Sequence, residues 1–296
     1  MDRRSFVAGI GSLPVLYAGS QVFAKTNDAD EGLAMVIMDP MSAPLACACV
    51  QGYAQRKYEF LGKFLEQQLG TKVKVYWSGA LSSAMEESKG RADIVIGKRS
   101  VVVADGAESK LELSPVADLT GKDGKTLQWG LVVVRKDDAA KKLNDLAGYE
   151  ILFGKKECDE KYSAAKKLFA DKNVVIAEGE KCIGACSEAV TALLDLEPGA
   201  KSAAVISSYA KPLLEGCGTI QKGDVRVVGE TEKVPFITAF VNSSLAADLK
   251  AKITAALLNV KSEPALLTML ETRDGFVSLS DSASDKSEQP ATAKKN

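Results

Sequence analysis

Apolar positions in this chain follow two alternating periods. Residues 33–38 form an unbroken apolar run, the pattern of a strand covered on both faces. Tyr53, Tyr58, Leu61, Phe64, Leu65 and Leu69 then recur near one stripe at helical spacing over 53–69, and Gly70 supplies the stop. The same pattern predicts strands at 72–77 and 92–97 with a short helix at 81–89 between them. Strand, helix, strand, helix, strand in that order demands a mainly parallel sheet. A second series starts at residue 127. It holds a long strand over 127–134 that contains Trp129, a helix at 137–146, a strand at 150–153 and a helix at 161–170. A strand at 174–177, a helix at 187–194 and a strand at 203–206 follow. Strands at 224–228 and 235–241 and helices at 245–258 and 264–270 close the chain. Two α/β halves and a return segment predict two lobes, each a mainly parallel sheet flanked by helices, joined by two crossing strands.

The two ends depart from this pattern. Asp2-Arg3-Arg4-Ser5-Phe6-Val7 precedes an apolar stretch over 7–17 and a small-residue cleavage signal at 22–24. This is the layout of a twin-arginine export peptide over residues 1–24, so a periplasmic location is expected. That route carries proteins already folded, often with a cofactor inserted. The leader's apolar run is too short and too broken by Gly and Pro to span a bilayer, and no other segment reaches about 18 consecutive apolar residues. Residues 279–296 are rich in Ser, Asp, Lys, Ala and Thr. They cannot bury enough apolar surface to offset ordering, so a disordered tail is expected.

Charge and composition narrow the function. The chain carries 38 basic and 39 acidic side chains, a net charge of −1. Loss of the leader removes two arginines and one aspartate and leaves −2. No basic excess marks a nucleic-acid partner. There is no histidine, which excludes Ser–His and Cys–His nucleophiles, and no Walker-type loop or Rossmann fingerprint occurs. Asp137-Asp138 and the run Glu157, Asp159, Glu160 read as helix-start charges that the dipole favours. The chain is therefore not expected to be an enzyme, and no catalytic residue is assigned.

Several segments carry a resemblance to a known family. They are Phe60 to Gly70 in the first helix, residues 91–97 (RADIVIG), residues 130–136 (GLVVVRK), residues 143–148 (LNDLAG) and the return strand at 235–241. Over 33–276 the chain resembles the type II periplasmic solute-binding proteins, in the phosphate, phosphite and phosphonate branch that serves ABC transporters. The resemblance implies a two-lobed fold, with 33–127 plus 242–278 as lobe one and 128–241 as lobe two with its hinge strands. It also implies a small-molecule ligand in the cleft, a phosphonate- or phosphite-like oxyanion among the candidates, and an ABC permease in the inner membrane as partner; the chain is expected to be a monomer. The branch places a Ser/Thr/Gly-rich anion loop after the lobe-two strand at 150–153. This chain has Lys155-Lys156-Glu157-Cys158-Asp159-Glu160-Lys161 there, and its carboxylates are acceptors only.

Candidate ligand residues come from the loops at strand carboxyl ends, which form the crevice in open α/β sheets, and from helix N-termini, which suit anions. Those loops are 39–48, 78–80 and 98–100 in lobe one, and 154–163, 180–187 and 207–209 in lobe two. The candidates are Met41, Ser42, Ser78, Gly79, Lys98, Arg99, Ser100, Ser207 and Ser208. The serines offer hydroxyl donors to an oxyanion, although each also reads as a helix N-cap. Lys98 and Arg99 offer charge, although each also reads as a solvated side chain.

Cysteine is the second candidate chemistry. Cys47, Cys49, Cys158, Cys182 and Cys186 all fall in segments expected to face the cleft, and Cys217 sits apart in a Gly-Cys-Gly turn. Cys182 and Cys186 are spaced to share one helix face, and thiolates at helix N-termini are good soft-metal ligands. Thiolates without imidazole suit Cu(I), Zn or an iron–sulfur cluster. In an exported protein, however, an even number of cysteines equally reads as disulfides, and six allow fifteen pairings. The two readings stand side by side, so no cofactor is certain.

Overall fold

The computed structural model describes residues 32–46 and 54–280; the segment expected to be a twin-arginine leader, Cys47, Cys49, Tyr53 and residues 281–296 of the expected tail lie outside them. The first strand, β1 (Leu33–Met38), is buried along its whole length. Leu33, Met35 and Ile37 face one core cluster, and Val36 and Met38 face another. This alternation explains the unbroken apolar run, since successive side chains leave a strand on opposite faces. Helix α1 (Tyr58–Leu69) buries Tyr58, Leu61, Phe64 and Leu65. It stops at Gly70, which takes φ 65° and returns its N–H to Glu66 O, a left-handed termination that glycine adopts without a Cβ penalty.

The first sheet continues with β2 (Val73–Trp77), α2 (Leu81–Glu87), β3 (Ile94–Lys98), α3 (Arg99–Glu108) and β4 (Leu113–Leu119). The chain then passes through β5 (Leu127–Gln128) into the second sheet. That sheet is built with β6 (Gly130–Arg135), β7 (Glu150–Phe153), α4 (Ser163–Asp171), β8 (Lys181–Cys182), α5 (Cys186–Leu194), β9 (Ser202–Ser207), α6 (Ala210–Gly216) and β10 (Val225–Glu230). The return passes through β11 (Val234–Pro235) into β12 (Ile237–Asn242), followed by α7 (Ala247–Asn259), α8 (Pro264–Met269) and β13 (Phe276–Val277). The sheet orders are β13-β4-β12-β3-β1-β2 and β10-β6-β9-β7-β8. Between them β5 and β11 pair antiparallel, Leu127 with Pro235 and Gln128 with Val234. These are the two expected crossing strands.

The α/β architecture of two lobes is as expected, and the sheets are mixed. β1, β2 and β3 are parallel, as are β7, β8 and β9. β12 runs antiparallel to both β3 and β4, and β6 runs antiparallel to β9 and β10. β6 and β12 are the strands through which the chain enters a lobe from the crossing pair, and β13 closes the first sheet antiparallel to β4. β12, grouped with lobe two on sequence grounds, lies inside the first sheet.

The sequence pattern did not anticipate α3, β4, α6 or β13, and four of its expectations differ from the structure. The strand at 127–134 is two strands broken at Trp129, because its first residues belong to the crossing pair. The helix at 137–146 shrinks to one 3-10 turn, Leu143–Leu146; Asp145 Oδ2 accepts the Lys141 and Lys142 N–H groups and holds their approach as a loop. Residues 174–177 form no strand. Their backbone bonds go to Gly148 and Tyr149, and Val175 is exposed; β8 takes the place beside β7. Cys182 lies in β8 while Cys186 opens α5, so the two do not share a helix face.

Candidate functional site

The carboxyl ends of β1, β2 and β3 meet those of β7, β8 and β9 across a cavity of about 490 Å³. Lobe one contributes Met38, Met41, Leu45, Gly79, Lys98 and Val101 to the wall. Lobe two contributes Lys155, Glu157, Cys158 and Lys161 after β7, the first turn of α5, and Tyr209 with α6. No side chain caps α5, so its first N–H groups and positive end stand at the wall.

Behind the wall, in contact with its Lys98, lies Glu160, a fully buried carboxylate in a 3-10 turn (Asp159–Lys161). Its Oε1 accepts from Lys98 Nζ at 2.5 Å and from Ser207 Oγ at 2.6 Å. Its Oε2 accepts from Gln128 Nε2 at 3.3 Å. The donors come from lobe one, lobe two and the crossing strand β5. Gly130 makes this placement possible, because a Cβ there would lie 2.1 Å from Glu160 O. Burial alone would raise the Glu160 pKa, but the Lys98 charge and the Lys98 and Ser207 hydrogen bonds hold it below the ordinary carboxylate value. Burial would likewise lower Lys98, yet Glu160 beside it keeps the ammonium raised. A second tie crosses the cleft at Ser100, whose Oγ donates to Glu157 O at 2.7 Å and accepts from Asp159 N at 3.3 Å.

Of the sequence candidates, Met41, Gly79 and Lys98 lie on the cavity wall. Ser100 and Ser207 bind the Glu160 turn and carboxylate. The others have different duties. Arg99 forms two hydrogen bonds to Asp118, at 2.8 and 3.0 Å, and a third to Thr238. Ser78 Oγ accepts from Ala80 N ahead of α2, Ser208 Oγ accepts from Trp129 N, and Ser42 is buried beneath the loop after β1. Sequence reasoning missed Gln128 and grouped Glu160 with Glu157 and Asp159 as helix-start charges. A lone amide in the apolar stretch 127–134 was the available signal for Gln128.

The four described cysteines are free thiols. Cys158 and Cys186 line the cavity. Burial raises the Cys158 thiol, opposed by Lys98 and Lys161, while Cys186 Sγ accepts from Ser207 N at 3.4 Å. Cys182 and Cys217 are exposed, away from the wall. Among the described residues no group of three or more Cys, Asp or Glu is placed to hold a metal ion.

Two lobes, a crossing pair and a cavity at facing strand ends define a two-lobed substrate-binding protein. The family described as "ABC transporter, phosphonate, periplasmic substrate-binding protein" matches residues 51–283, and the chain belongs to that family. Comparison with curated proteins finds no match. Among solved structures, XAC2383 of Xanthomonas citri bound to chloride ion has a TM-score of 0.64 at 14% identity, covering 85% of this chain and 93% of that one. A binding-protein component of an ABC phosphonate transporter from Pseudomonas aeruginosa gives 0.59 at 15% identity, over 83% and 80%. PhnD1 of Prochlorococcus marinus in complex with methylphosphonate gives 0.54 at 16%, over 83% and 92%. At such identities the likeness shows the fold. The family is periplasmic, and no helix among the described residues is long and apolar enough to cross a membrane.

Proposed function

We propose that this chain captures a small solute in the cavity between its lobes and presents it to the permease of an ABC importer. The observation that carries the reading is the cavity of about 490 Å³ at the facing strand ends, spanned by side chains of both lobes. Its volume falls within the range of small-molecule pockets. The β5–β11 pair is a short two-stranded link about which lobes of this kind close. Export by the twin-arginine route rests on Arg3 and Arg4 ahead of the apolar stretch. The thiolate alternative has Cys158 and Cys186 on the wall in its favour, and it also requires Cys47 and Cys49, which lie outside the described residues.

The test is a calorimetric titration of the mature protein with methylphosphonate, phosphite, inorganic phosphate and a panel of small neutral and zwitterionic solutes. Small-angle scattering with each solute follows. Micromolar binding of one solute, with a change in the radius of gyration, is expected. A protein that binds none of them while retaining copper, zinc or iron through native mass spectrometry would shift the assignment to the thiolate reading. Replacing Arg3 and Arg4 by lysine is expected to stop export.

A further inference from the structure

The Glu160 carboxylate sits in a set of donors that would otherwise suit a ligand oxyanion. An ammonium, a hydroxyl and an amide converge on it from three parts of the chain: Lys98, Ser207 and Gln128. Charge-assisted donors of this kind are what bind carboxylate and phosphate oxygens. Here the chain supplies the anion itself. Lys98 is almost fully buried and cannot turn to solvent for a second partner. Gln128 and Ser207 are equally enclosed.

The charge balance of the whole site agrees. Lys98, Lys155 and Lys161 are the ammonium groups on the wall, and Glu157 and Glu188 are its carboxylates. Glu160, held against Lys98, is the third carboxylate and brings the set to neutrality. Lys161 is already engaged, donating to Gly184 O at 2.8 Å. The uncapped start of α5 is the other anion-suited feature of the wall, and Ser207, bonded to both Cys186 Sγ and Glu160 Oε1, sets the Glu160 carboxylate close behind it. A dianionic head group therefore has two routes. It can lie beside a buried carboxylate, which repels it in a low-dielectric setting, or it can displace that carboxylate and leave it buried without its donors. Both oppose binding.

We infer that Glu160 is the specificity-determining residue of the cleft: it occupies from within the chain the oxyanion place beside Lys98, so the solute captured carries no net charge. This rests on the reading of the cavity as a solute site. The cavity retains polar groups of both signs, Lys155 with Glu157 and Glu188, which fits a neutral or zwitterionic organic molecule. Selection here works by placing a like charge against the wrong ligand.

The test titrates methylphosphonate and the neutral and zwitterionic panel into wild type and into Glu160→Gln. Wild type is expected to ignore methylphosphonate at millimolar concentration. E160Q is expected to bind it at least tenfold more tightly and to be stabilised by it against heat. Micromolar binding of methylphosphonate by wild type overturns the inference, as does a folded E160Q that gains nothing. Should E160Q not fold, the wild-type titration decides alone: methylphosphonate binding there contradicts the inference, and its absence beside binding of a neutral or zwitterionic solute upholds it. A wild type blind to every solute defeats solute capture, while a gain in E160Q still upholds the role of Glu160. A wild type that takes neutral solutes, beside an E160Q that gains no methylphosphonate binding, defeats only the inference.

Discussion

The rings of Tyr209 and Phe236 stack with centroids 4.8 Å apart and planes 21° from parallel. Tyr209 opens α6 in lobe two, and Phe236 stands between β11 and β12 where the chain re-enters lobe one. The Arg56 guanidinium lies over the same Phe236 ring at 5.6 Å. Phe236 thus joins the hinge to the lobe-two wall. Phe236→Ala is expected to cost about 3–5 kcal/mol, the usual loss for a buried phenylalanine. It should also enlarge the radius of gyration by loosening the lobes. Tyr209→Leu keeps the burial and loses the stacking, so it should cost about 0.5–1.5 kcal/mol. Urea unfolding and scattering on both variants check this; an unchanged midpoint for F236A would contradict it.

Asp39 anchors the loop that follows β1. It is fully buried and accepts from Arg56 Nη1 at 2.8 Å, Tyr58 OH at 2.6 Å and Met41 N at 2.8 Å. Burial opposes the Arg56 charge, and Asp39 and Tyr58 together more than compensate, so the guanidinium stays raised. Asp39→Ala leaves an unpaired buried cation, a change that costs about 3–5 kcal/mol. Because Met41 and Leu45 of the same loop line the cavity, ligand affinity should fall as well. A denaturation midpoint within experimental error of wild type would remove this role.

Much of the fold was legible because both-face burial leaves a plain mark. The run at 33–38 and the stripe in α1 follow from local pattern, and the cleft at strand carboxyl ends follows from the resemblance and the general rule for open α/β sheets. What failed depended on distant partners. Trp129 interrupts a strand only because Leu127 and Gln128 pair with β11, more than a hundred residues on. Val174 to Ala177 are apolar enough for a strand, yet the edge of β7 is taken by Lys181 and Cys182. In the site, Lys98, Gly79 and Met41 were readable from their place after strands. Arg99 was not, since only the fold brings Asp118 and Thr238 to it. Nor could the sequence separate buried Glu160 from partly exposed Glu157 and Asp159, three residues of one acidic run.

Thiol reactivity should divide along the same lines. Cys182 and Cys217 are exposed, whereas Cys158 is buried with its thiol pushed up by burial, and the thiolate is the reactive form. Brief alkylation of the native protein, read peptide by peptide in a mass spectrometer, should label Cys182 and Cys217 first and Cys158 last among the four described cysteines. Labelling of Cys158 should be further slowed by a bound solute, because Cys158 lines the cavity. Equal rates at Cys158 and Cys182 would contradict this arrangement.

The Lys98–Glu160 pair should also give stability a defined pH window. Glu160 is lowered from 4.5, so its contribution is complete above that pH and is lost as pH falls toward the folded-state value. Lys98 is raised from 10.5, so its contribution is complete below that pH and is lost only as pH rises beyond it. Between about 4.5 and 10.5 the pair therefore adds a constant amount. Breaking it by Lys98→Met alone is expected to cost about 3–5 kcal/mol at pH 7, because Glu160 stays buried without its cation. The double variant Lys98→Met with Glu160→Gln should recover most of that loss, since no buried charge remains unpaired. Below pH 4.5 wild type should lose melting temperature more steeply than the double variant, and the two curves should converge. Parallel curves from pH 7 to pH 3 would show that the carboxylate is not held by Lys98 in solution.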